Sequence, residues 1–345
     1  TPPQSPVAWA SFITGASPAE HGLFDFIKRD PATYAPDLST SDRHGVARPW
    51  SGAPFWEDKA FRSAQVIALR IPLTFPPPKV GGRLLSGMGV WDARGTEGTY
   101  FFYSTLGPRQ GLRGMSFALV EGAGSLIGAI PGPYRVGEDD SAREPFELQI
   151  EGNRAMLHVQ GRSYALQEGK WSDWIGLEFR LGALRLQKVF VVTRVLLHAD
   201  GHEVSLYVSP LNFDPARPLF PISCPPEYSR ELTGAIGTFH TRGMPFDTQA
   251  LNDGLLSDSD FLEQWDFVFA EQEEVFAHEL KRFDSGLLIA YFDAADALQH
   301  TFWCTIDPKH PAYTQELAAR HGHAIADCYG RLDAVLGRAM TALGE

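Results

Sequence analysis

Cysteine and long apolar runs are both scarce in this chain of 345 residues. The three cysteines, Cys224, Cys304 and Cys328, are odd in number and widely spaced, which excludes a disulfide framework and a paired-cysteine metal site. We therefore expect buried free thiols. No apolar run reaches the length of about 20 residues that a membrane span needs, and no signal peptide is visible.

The chain also lacks an excess of positive charge, and its net charge is -12. A chain of this charge without a basic block is not expected to bind nucleic acid. If it handles an anion such as phosphate, it needs local compensation from metal ions, arginines or helix ends. Apolar residues make up 44% of the sequence, which is enough for one large domain or two ordinary ones.

The sequence predicts an α/β fold whose core is interrupted by a β-rich antiparallel insert. Three segments carry it: residues 1–60 and 231–345 as parts of the α/β core, and 61–230 as the insert. Within the insert, short β-prone runs alternate with turn signals at Gly152-Asn153 and Asp200-Gly201. In the last segment, helical spacing over 257–283 precedes the apolar run 287–292, which is typical of a buried parallel strand. The tail from about 311 to 343 is predicted to be helical.

Ser5 opens the first predicted helix. It stands directly before Pro6, and Gly15 supplies a helix stop. Free backbone N–H groups and the helix dipole favour an anion at such a place, which suits a nucleophile that attacks a phosphate. The plain alternative is that Ser5 is an ordinary helix N-cap.

Asp296 and His300 follow the predicted strand 287–292 at a spacing of four residues. On a helix they share a face and can hold one divalent ion together. Ligands collect outside the carboxyl ends of strands in α/β sheets, which favours this reading. The alternative is a capping aspartate beside a half-buried histidine.

These segments resemble a known family. The run SPVAWASFITG, followed by His21-Gly22, resembles the nucleophile segment of the type I phosphodiesterases and nucleotide pyrophosphatases, within the alkaline phosphatase superfamily. The run DAADALQHTFW, with Asp296 and His300, is similar to that family's Asp-x-x-x-His zinc ligands. The chain looks most like a bacterial branch of phosphohydrolases and phosphomutases, so a bacterial cytoplasm or periplasm is the expected setting and the compartment stays open.

The resemblance implies an alkaline phosphatase-like core, a phospho-serine intermediate on Ser5, and two divalent metal ions. Ser5, Asp296 and His300 are its implied metal ligands, with zinc the expected ion and manganese or iron the alternatives. The family also has an aspartate before the nucleophile and an Asp-His pair further downstream. Neither is found here, so we expect a segment cut at both ends that is inactive by itself.

In the family a phosphate-binding asparagine follows the nucleophile by some twenty residues. Phe24-Asp25-Phe26 stands at that place, so Lys28 and Arg29 are the candidate substitutes for substrate binding, with a solvated basic pair as the alternative.

Two functions remain after the sequence alone. The first is a metal-dependent phosphoester hydrolase or phosphomutase that acts on a small-molecule phosphate ester. The second is a non-catalytic β-rich module that binds carbohydrate or protein between remnant α/β pieces. A position of Ser5 close to Asp296 and His300 would favour the first.

Overall fold

The structure is a computed structural model that describes residues 4–39, 48–61, 63–134, 141–182 and 186–344. In these ranges the α-helices, numbered in chain order, are α1 Ser5–Thr14, α2 Pro18–His21, α3 Tyr228–Ile236, α4 Thr248–Asn252, α5 Asp258–Leu280, α6 Ala294–Phe302, α7 Gln315–His321 and α8 Ala324–Leu343. None of the helices in the described ranges is long and apolar enough to cross a membrane.

The strands are numbered in the same way. They are β1 Ile27–Arg29, β2 Pro36–Leu38, β3 Val66–Ile71, β4 Gly82–Ser86, β5 Phe101–Ser104, β6 Met115–Ala118, β7 Val120–Glu121, β8 Leu126–Tyr134, β9 Ser141–Glu151, β10 Arg154–Val159, β11 Arg162–Gln167, β12 Ile175–Leu181, β13 Gln187–Thr193, β14 Val195–Ala199, β15 Val204–Val208, β16 Asn212–Phe213, β17 Ser223–Cys224 and β18 Leu287–Ala290.

One sheet is mostly parallel and has the strand order β17-β4-β3-β18. Strand β3 pairs in parallel with β4 on one side and with β18 on the other, while β17 is antiparallel to β4. Every residue of β3 is buried, as expected for a strand covered on both faces. The strand predicted over 287–292 is observed as β18, which is parallel to β3 and ends at Ala290, but it is half-buried rather than buried.

Helices cover both faces of this sheet. On one face Val66 and Ala68 of β3 pack with Ala10 and Ile13 of α1. On the other face Ile67 and Leu69, which alternate with them, join a core built with α3, α5, α6 and α8. The chain therefore forms an α/β fold with α1 on one side of the parallel sheet and α3, α5, α6 and α8 on the other.

The remaining large sheets are antiparallel or mixed and lie in the middle of the chain. Their orders are β11-β10-β9-β8-β7, β12-β13-β16 and β14-β15-β5-β6, and they enclose a core of their own. Gly152-Asn153 joins β9 to β10, and the Asp200-Gly201 turn joins β14 to β15, so both predicted hairpins are confirmed. Strands β3 and β4 come from residues 61–230 but pair with β18, so the parallel sheet crosses the predicted segment boundary.

Two helix predictions are confirmed and one detail is wrong. Helix α5 spans most of the predicted range 257–283, and Ser257 caps it by accepting a hydrogen bond from the Asp260 N–H. The predicted helical tail is observed as α7 and α8. Gly15 ends α1 with φ 65°. Ser5, however, is the first helical residue rather than the cap, because Gln4 holds the extended backbone outside the helix and no side chain caps it.

Candidate functional site

The carboxyl ends of β3, β4 and β18 meet at one edge of the parallel sheet. The residues that follow these strands, 72–75, 87–91 and 291–293, form what we call the carboxyl edge. Ligand sites of open α/β sheets lie at this edge. The predicted ligand-bearing segment leaves it directly, because α6 begins at Ala294.

Ser5 is exposed at the start of α1. Trp9, one helical turn later on the same face, packs edge to face against Tyr291 with ring centroids 4.7 Å apart. Tyr291 follows β18 directly, so the first half of α1 lies against the carboxyl edge. Burial raises the pKa of Tyr291, and the charges of Asp293 and Asp296 raise it further. The Tyr291 side chain therefore contacts Trp9 of α1 and is within the electrostatic influence of Asp293 and Asp296.

Asp296 and His300 share one exposed face of α6, as their spacing predicts. Asp296 Oδ1 lies 3.5 Å from His300 Nε2, and the side chains are 58% and 78% exposed. Two ligands of a tetrahedral zinc ion with bonds of about 2.0–2.1 Å are about 3.3 Å apart. The pair therefore fits one edge of such a coordination shell.

The described residues do not complete a metal site. Among them, no group of three or more His, Cys, Asp or Glu side chains lies close enough to hold an ion. Asp296 and His300 would supply two of the ligands that zinc takes, which are usually four.

A buried ion pair fixes the position of α6. Asp293, immediately before the helix, lies 3.4 Å from Arg70 Nη2 and accepts a 2.7 Å hydrogen bond from Gln272 Nε2 of α5. Arg70 stands in β3 with φ 57° and is 6% exposed, and it also donates to the backbone carbonyls of His240 and Gly243. These contacts join β3, α5 and the 239–243 loop to Asp293, the residue directly before the helix that carries Asp296 and His300.

Sequence reasoning missed this ion pair. A signal was present, because Arg70 interrupts the apolar run VIALRI, and a charge inside a fully buried strand needs a partner. The identity of the partner was not visible, because Asp293 lies 223 positions away.

The loop that follows β4, residues 87–96, contacts the segment 239–254, which contains α4. Gly243 N donates to the Val90 carbonyl at 2.9 Å, and a Cβ on Gly243 would collide with the backbone of Gly87. Within the first loop the Asp92 carboxylate accepts from the backbone N–H groups of Arg94, Thr96, Gly98 and Thr99. Both loops are held rigidly beside the carboxyl edge.

The second loop carries two buried ionic contacts. Arg242 is paired with Asp247, and both side chains are almost fully buried. His240 Nδ1 lies 2.7 Å from Glu271 Oε2, and Glu271 also pairs with Arg194 of the middle segment. Burial raises the pKa of Glu271, but His240 and Arg194 together bring it below its usual value. These contacts fasten the loop to α5 and to the antiparallel region.

His21, part of the family-like motif, has a structural role. Leu23 N donates to its Nδ1 at 3.2 Å, so Nε2 carries the proton and donates to Ser11 Oγ at 3.0 Å. The side chain is fully buried, and burial lowers its pKa. His21 therefore joins α2 to α1 as a neutral imidazole.

Lys28 and Arg29 lie on β1 of an exposed two-stranded hairpin. Both line a cleft of about 460 Å³ in which Asp296 and His300 take no part. The structure therefore brings Ser5's helix and the Asp296–His300 pair to one sheet edge, and gives Lys28 and Arg29 a cleft of their own.

The comparison with protein families bears on the first 94 residues of the chain. Residues 1–94 match the type I phosphodiesterase / nucleotide pyrophosphatase family. The resemblance seen in the Ser5 to Gly22 motif is thereby confirmed, over 94 of the 345 residues. The match spans α1, the β1–β2 hairpin, β3, β4 and the start of the Asp92 loop, and it is consistent with the alkaline phosphatase superfamily. No curated protein and no solved structure matched the chain.

Proposed function

We propose that this protein is a metal-dependent phosphoester hydrolase whose nucleophile is Ser5, built on an alkaline phosphatase-like core with a β-rich insert. The proposal depends on one observation: Trp9 of α1, inside the family-matched segment, packs on Tyr291 at the carboxyl edge. Helix α6, which carries Asp296 and His300, begins at that same edge. A small-molecule phosphate mono- or diester is the proposed substrate.

The position of Ser5 supports its role as nucleophile. Its side chain is exposed, at the N-terminus of a ten-residue helix that the Gln4 side chain does not cap. Pro6 has no N–H and the Ala8 N–H bonds to the Gln4 carbonyl, so the N–H groups of Ser5 and Val7 are the ones that favour an anion beside the hydroxyl. A phosphate drawn there would meet the Ser5 oxygen, which is the atom that has to attack.

The proposed reaction has two halves. Ser5 Oγ bonds to phosphorus as the ester P–O bond breaks, the hydroxyl proton leaves, and the alcohol takes up a proton. Water then attacks the phosphorus of this intermediate and restores Ser5, which releases inorganic phosphate when the substrate is a monoester and a phosphate monoester when it is a diester. If a second substrate hydroxyl replaces water, the same residue performs a phosphomutase reaction.

The proposal assigns Asp296 and His300 as protein ligands of one of two divalent ions, of which zinc is the expected one. Such ions would lower the pKa of bound hydroxyl groups and neutralise charge on the phosphate. Within the chain, the Arg70–Asp293 contact would hold α6 so that both donors keep their shared face.

The test is hydrolysis of aryl phosphate mono- and diesters by the longest natural chain that contains these residues, with added zinc or manganese. We expect Ser5→Ala to lower kcat/KM by about 10³-fold or more, because no other hydroxyl replaces the nucleophile. Ser17→Ala is the matched control, since Ser17 is also an exposed serine directly before a proline, here as the N-cap of α2. Its kcat/KM should stay within about twofold of wild type.

A second pair of variants tests the ligands. Asp296→Asn and His300→Gln should each raise the metal concentration for half-maximal activity by about tenfold or more. An unchanged metal requirement would remove them from the site. Unchanged turnover in Ser5→Ala would refute the nucleophile, and a wild-type protein without hydrolysis would favour the binding-module hypothesis.

A further inference from the structure

A crevice of about 110 Å³ lies between the Asp92 loop and the start of α4. Its lining residues come from 97–100 on one side and from 242–249 on the other. Both stretches lie well inside the described ranges 63–134 and 186–344. The volume is below the range of about 300–1,000 Å³ that is usual for small-molecule sites, so the crevice suits a ligand of few heavy atoms.

Two of the lining residues are the buried pair Arg242 and Asp247. Asp247 Oδ2 also accepts from the Tyr207 hydroxyl at 2.9 Å and from Gln264 Nε2 at 2.8 Å. Arg242 Nη2 donates to Asp247, while Nη1 lies so close to Gly98 that a Cβ there would collide with it. The guanidinium is therefore held in one position, and its charge is balanced by Asp247.

Glu97 lines the crevice from a turn that Asp92 holds rigid. The Asp92 carboxylate accepts from the N–H groups of Thr96, at 2.9 Å, and of Gly98, at 3.2 Å, which are the neighbours of Glu97 on either side. In the part of the chain that the structure describes, no hydrogen bond or ion pair reaches the Glu97 carboxylate itself. A fixed backbone thus presents a free acceptor to the crevice.

Two neutral side chains complete the polar lining. Thr248 and Gln249, in the first turn of α4, are half-buried, and neither side chain is hydrogen-bonded to a described residue. A hydroxyl and an amide can each donate and accept. Met244, which is 41% exposed, and Phe246 add apolar surface beside them.

The charges around the crevice favour a neutral ligand, because a cation would meet Arg242 and an anion would meet Glu97. Glu97 accepts hydrogen bonds, the Arg242 guanidinium donates them, and the remaining polar side chains do both. Hydroxyl groups match this set, since each can donate and accept. A short carbon chain that carries several hydroxyl groups would also place its C–H groups against Met244.

The crevice adjoins the carboxyl edge. Gly243 stands between the lining residues Arg242 and Met244, and its N–H donates to the Val90 carbonyl at 2.9 Å. The Gly243 carbonyl accepts from Arg70 Nη2 at 3.4 Å, and Arg70 is the arginine that pairs with Asp293. The wall of the crevice therefore contacts both the carboxyl edge and the arginine that positions α6.

We propose that this crevice binds a small neutral polyol. The hydrogen-bonding residues are Glu97, Arg242, Thr248 and Gln249. That the polyol is the alcohol part of the phosphate ester rests on the proposed function, but the binding itself needs neither Ser5 nor a metal ion.

The experiment is saturation-transfer NMR with glycerol and with 1-propanol, in EDTA so that no metal-dependent site contributes. The two probes have the same carbon chain and differ in their hydroxyl groups. Wild type and Ser5→Ala should bind glycerol with the same Kd, in the millimolar range because few contacts offset the cost of association. 1-Propanol should bind at least about tenfold more weakly, since it lacks two of the hydrogen-bonding groups.

Variants of the lining separate hydrogen bonding from charge. Glu97→Ala and Gln249→Ala should each weaken glycerol by about fivefold or more, whereas Glu97→Gln keeps an acceptor and should stay within about threefold of wild type. Glu121→Ala removes an exposed carboxylate on β7 and is the control, with a Kd within about twofold of wild type. Circular dichroism and the melting temperature establish that each variant is folded.

Three results would overturn the proposal: no saturation transfer to glycerol at about 100 mM, equal affinity for glycerol and 1-propanol, or an unchanged Kd in Glu97→Ala. Equal losses in Glu97→Gln and Glu97→Ala would mean that charge is recognised, which contradicts a neutral ligand.

The role in the substrate has its own measurement. The KM for glycerol 1-phosphate should be about tenfold below that for propyl phosphate, and Glu97→Ala should remove most of this difference. A ratio near one in wild type would refute the role in the substrate. An enzyme that hydrolyses neither ester would refute the proposed function alone, because glycerol binding is measured without metal and also in Ser5→Ala.

Discussion

The contact between Arg70 and Asp293 allows a quantitative test of how the candidate site is held. Asp293→Asn keeps the size of the side chain and an oxygen that accepts from Gln272 Nε2, but removes the charge that faces Arg70. The two side chains are 7% and 14% exposed, so Arg70 would be left as a buried cation without its counter-charge.

The expected loss of stability follows from this burial. Breaking a buried ion pair by removing one partner costs about 3–5 kcal/mol. The 3.4 Å separation is longer than a tight charge-assisted bond, and Arg70 keeps the carbonyls of His240 and Gly243 as acceptors. We therefore expect the lower end, about 3 kcal/mol in the free energy of unfolding.

Urea unfolding, followed by tryptophan fluorescence and by far-UV circular dichroism, measures this difference in the free energy of unfolding. If the two transitions coincide, unfolding is two-state and a single free energy applies to it. Glu316→Gln is the control, because the Glu316–Arg320 pair is 75% and 67% exposed and should contribute at most about 0.5 kcal/mol. A loss below about 1 kcal/mol for Asp293→Asn would refute the claim that this pair fixes α6.

Two further predictions concern stability. Hydrogen bonding to Asp260 raises the pKa of His198, so its stabilising charge is present at pH 6 and lost as pH rises through the raised pKa. His198→Gln should therefore lower the melting temperature more at pH 6 than at pH 8.5. The corresponding loss in the free energy of unfolding should stay below about 1 kcal/mol, because His198 is 41% exposed. An equal loss at both pH values would contradict this prediction. Gly87→Ala places a Cβ against the backbone of Arg70 and should cost about 2 kcal/mol or more in urea unfolding. Gly330→Ala, in open space on α8, should stabilise by about 0.5–1 kcal/mol, and similar effects of the two would contradict the packing argument.

Local features of the chain were predictable. The Gly15 stop of α1, the Ser257 cap of α5 and the shared face of Asp296 and His300 each depend on residues a few positions apart. Backbone propensity and helical spacing act over that range, so the sequence alone carries the information.

Long-range features were not predictable. From the sequence, strand β3 looks like another β-prone run before the antiparallel strands. All its residues are buried, so there is no alternation of apolar and polar residues that would indicate which strands it pairs with. Its pairing with β18, the contact of Arg70 with Asp293, and the meeting of the Asp92 loop with Gly243 are set by tertiary packing. The helix of Ser5 could be placed beside Tyr291 only once that pairing was known.

The pairing of β3 with β18 also sets the order of assembly during synthesis. The ribosome adds about 5–20 residues per second, so Tyr291 emerges roughly 15–60 s after the helix that it will contact. The antiparallel region between them has its own core and contains both members of each of its strand pairs, so it can fold while the parallel sheet still lacks an edge. Because Trp9 of α1 contacts Tyr291 only after β18 is in place, the candidate site is among the last parts of the molecule to form.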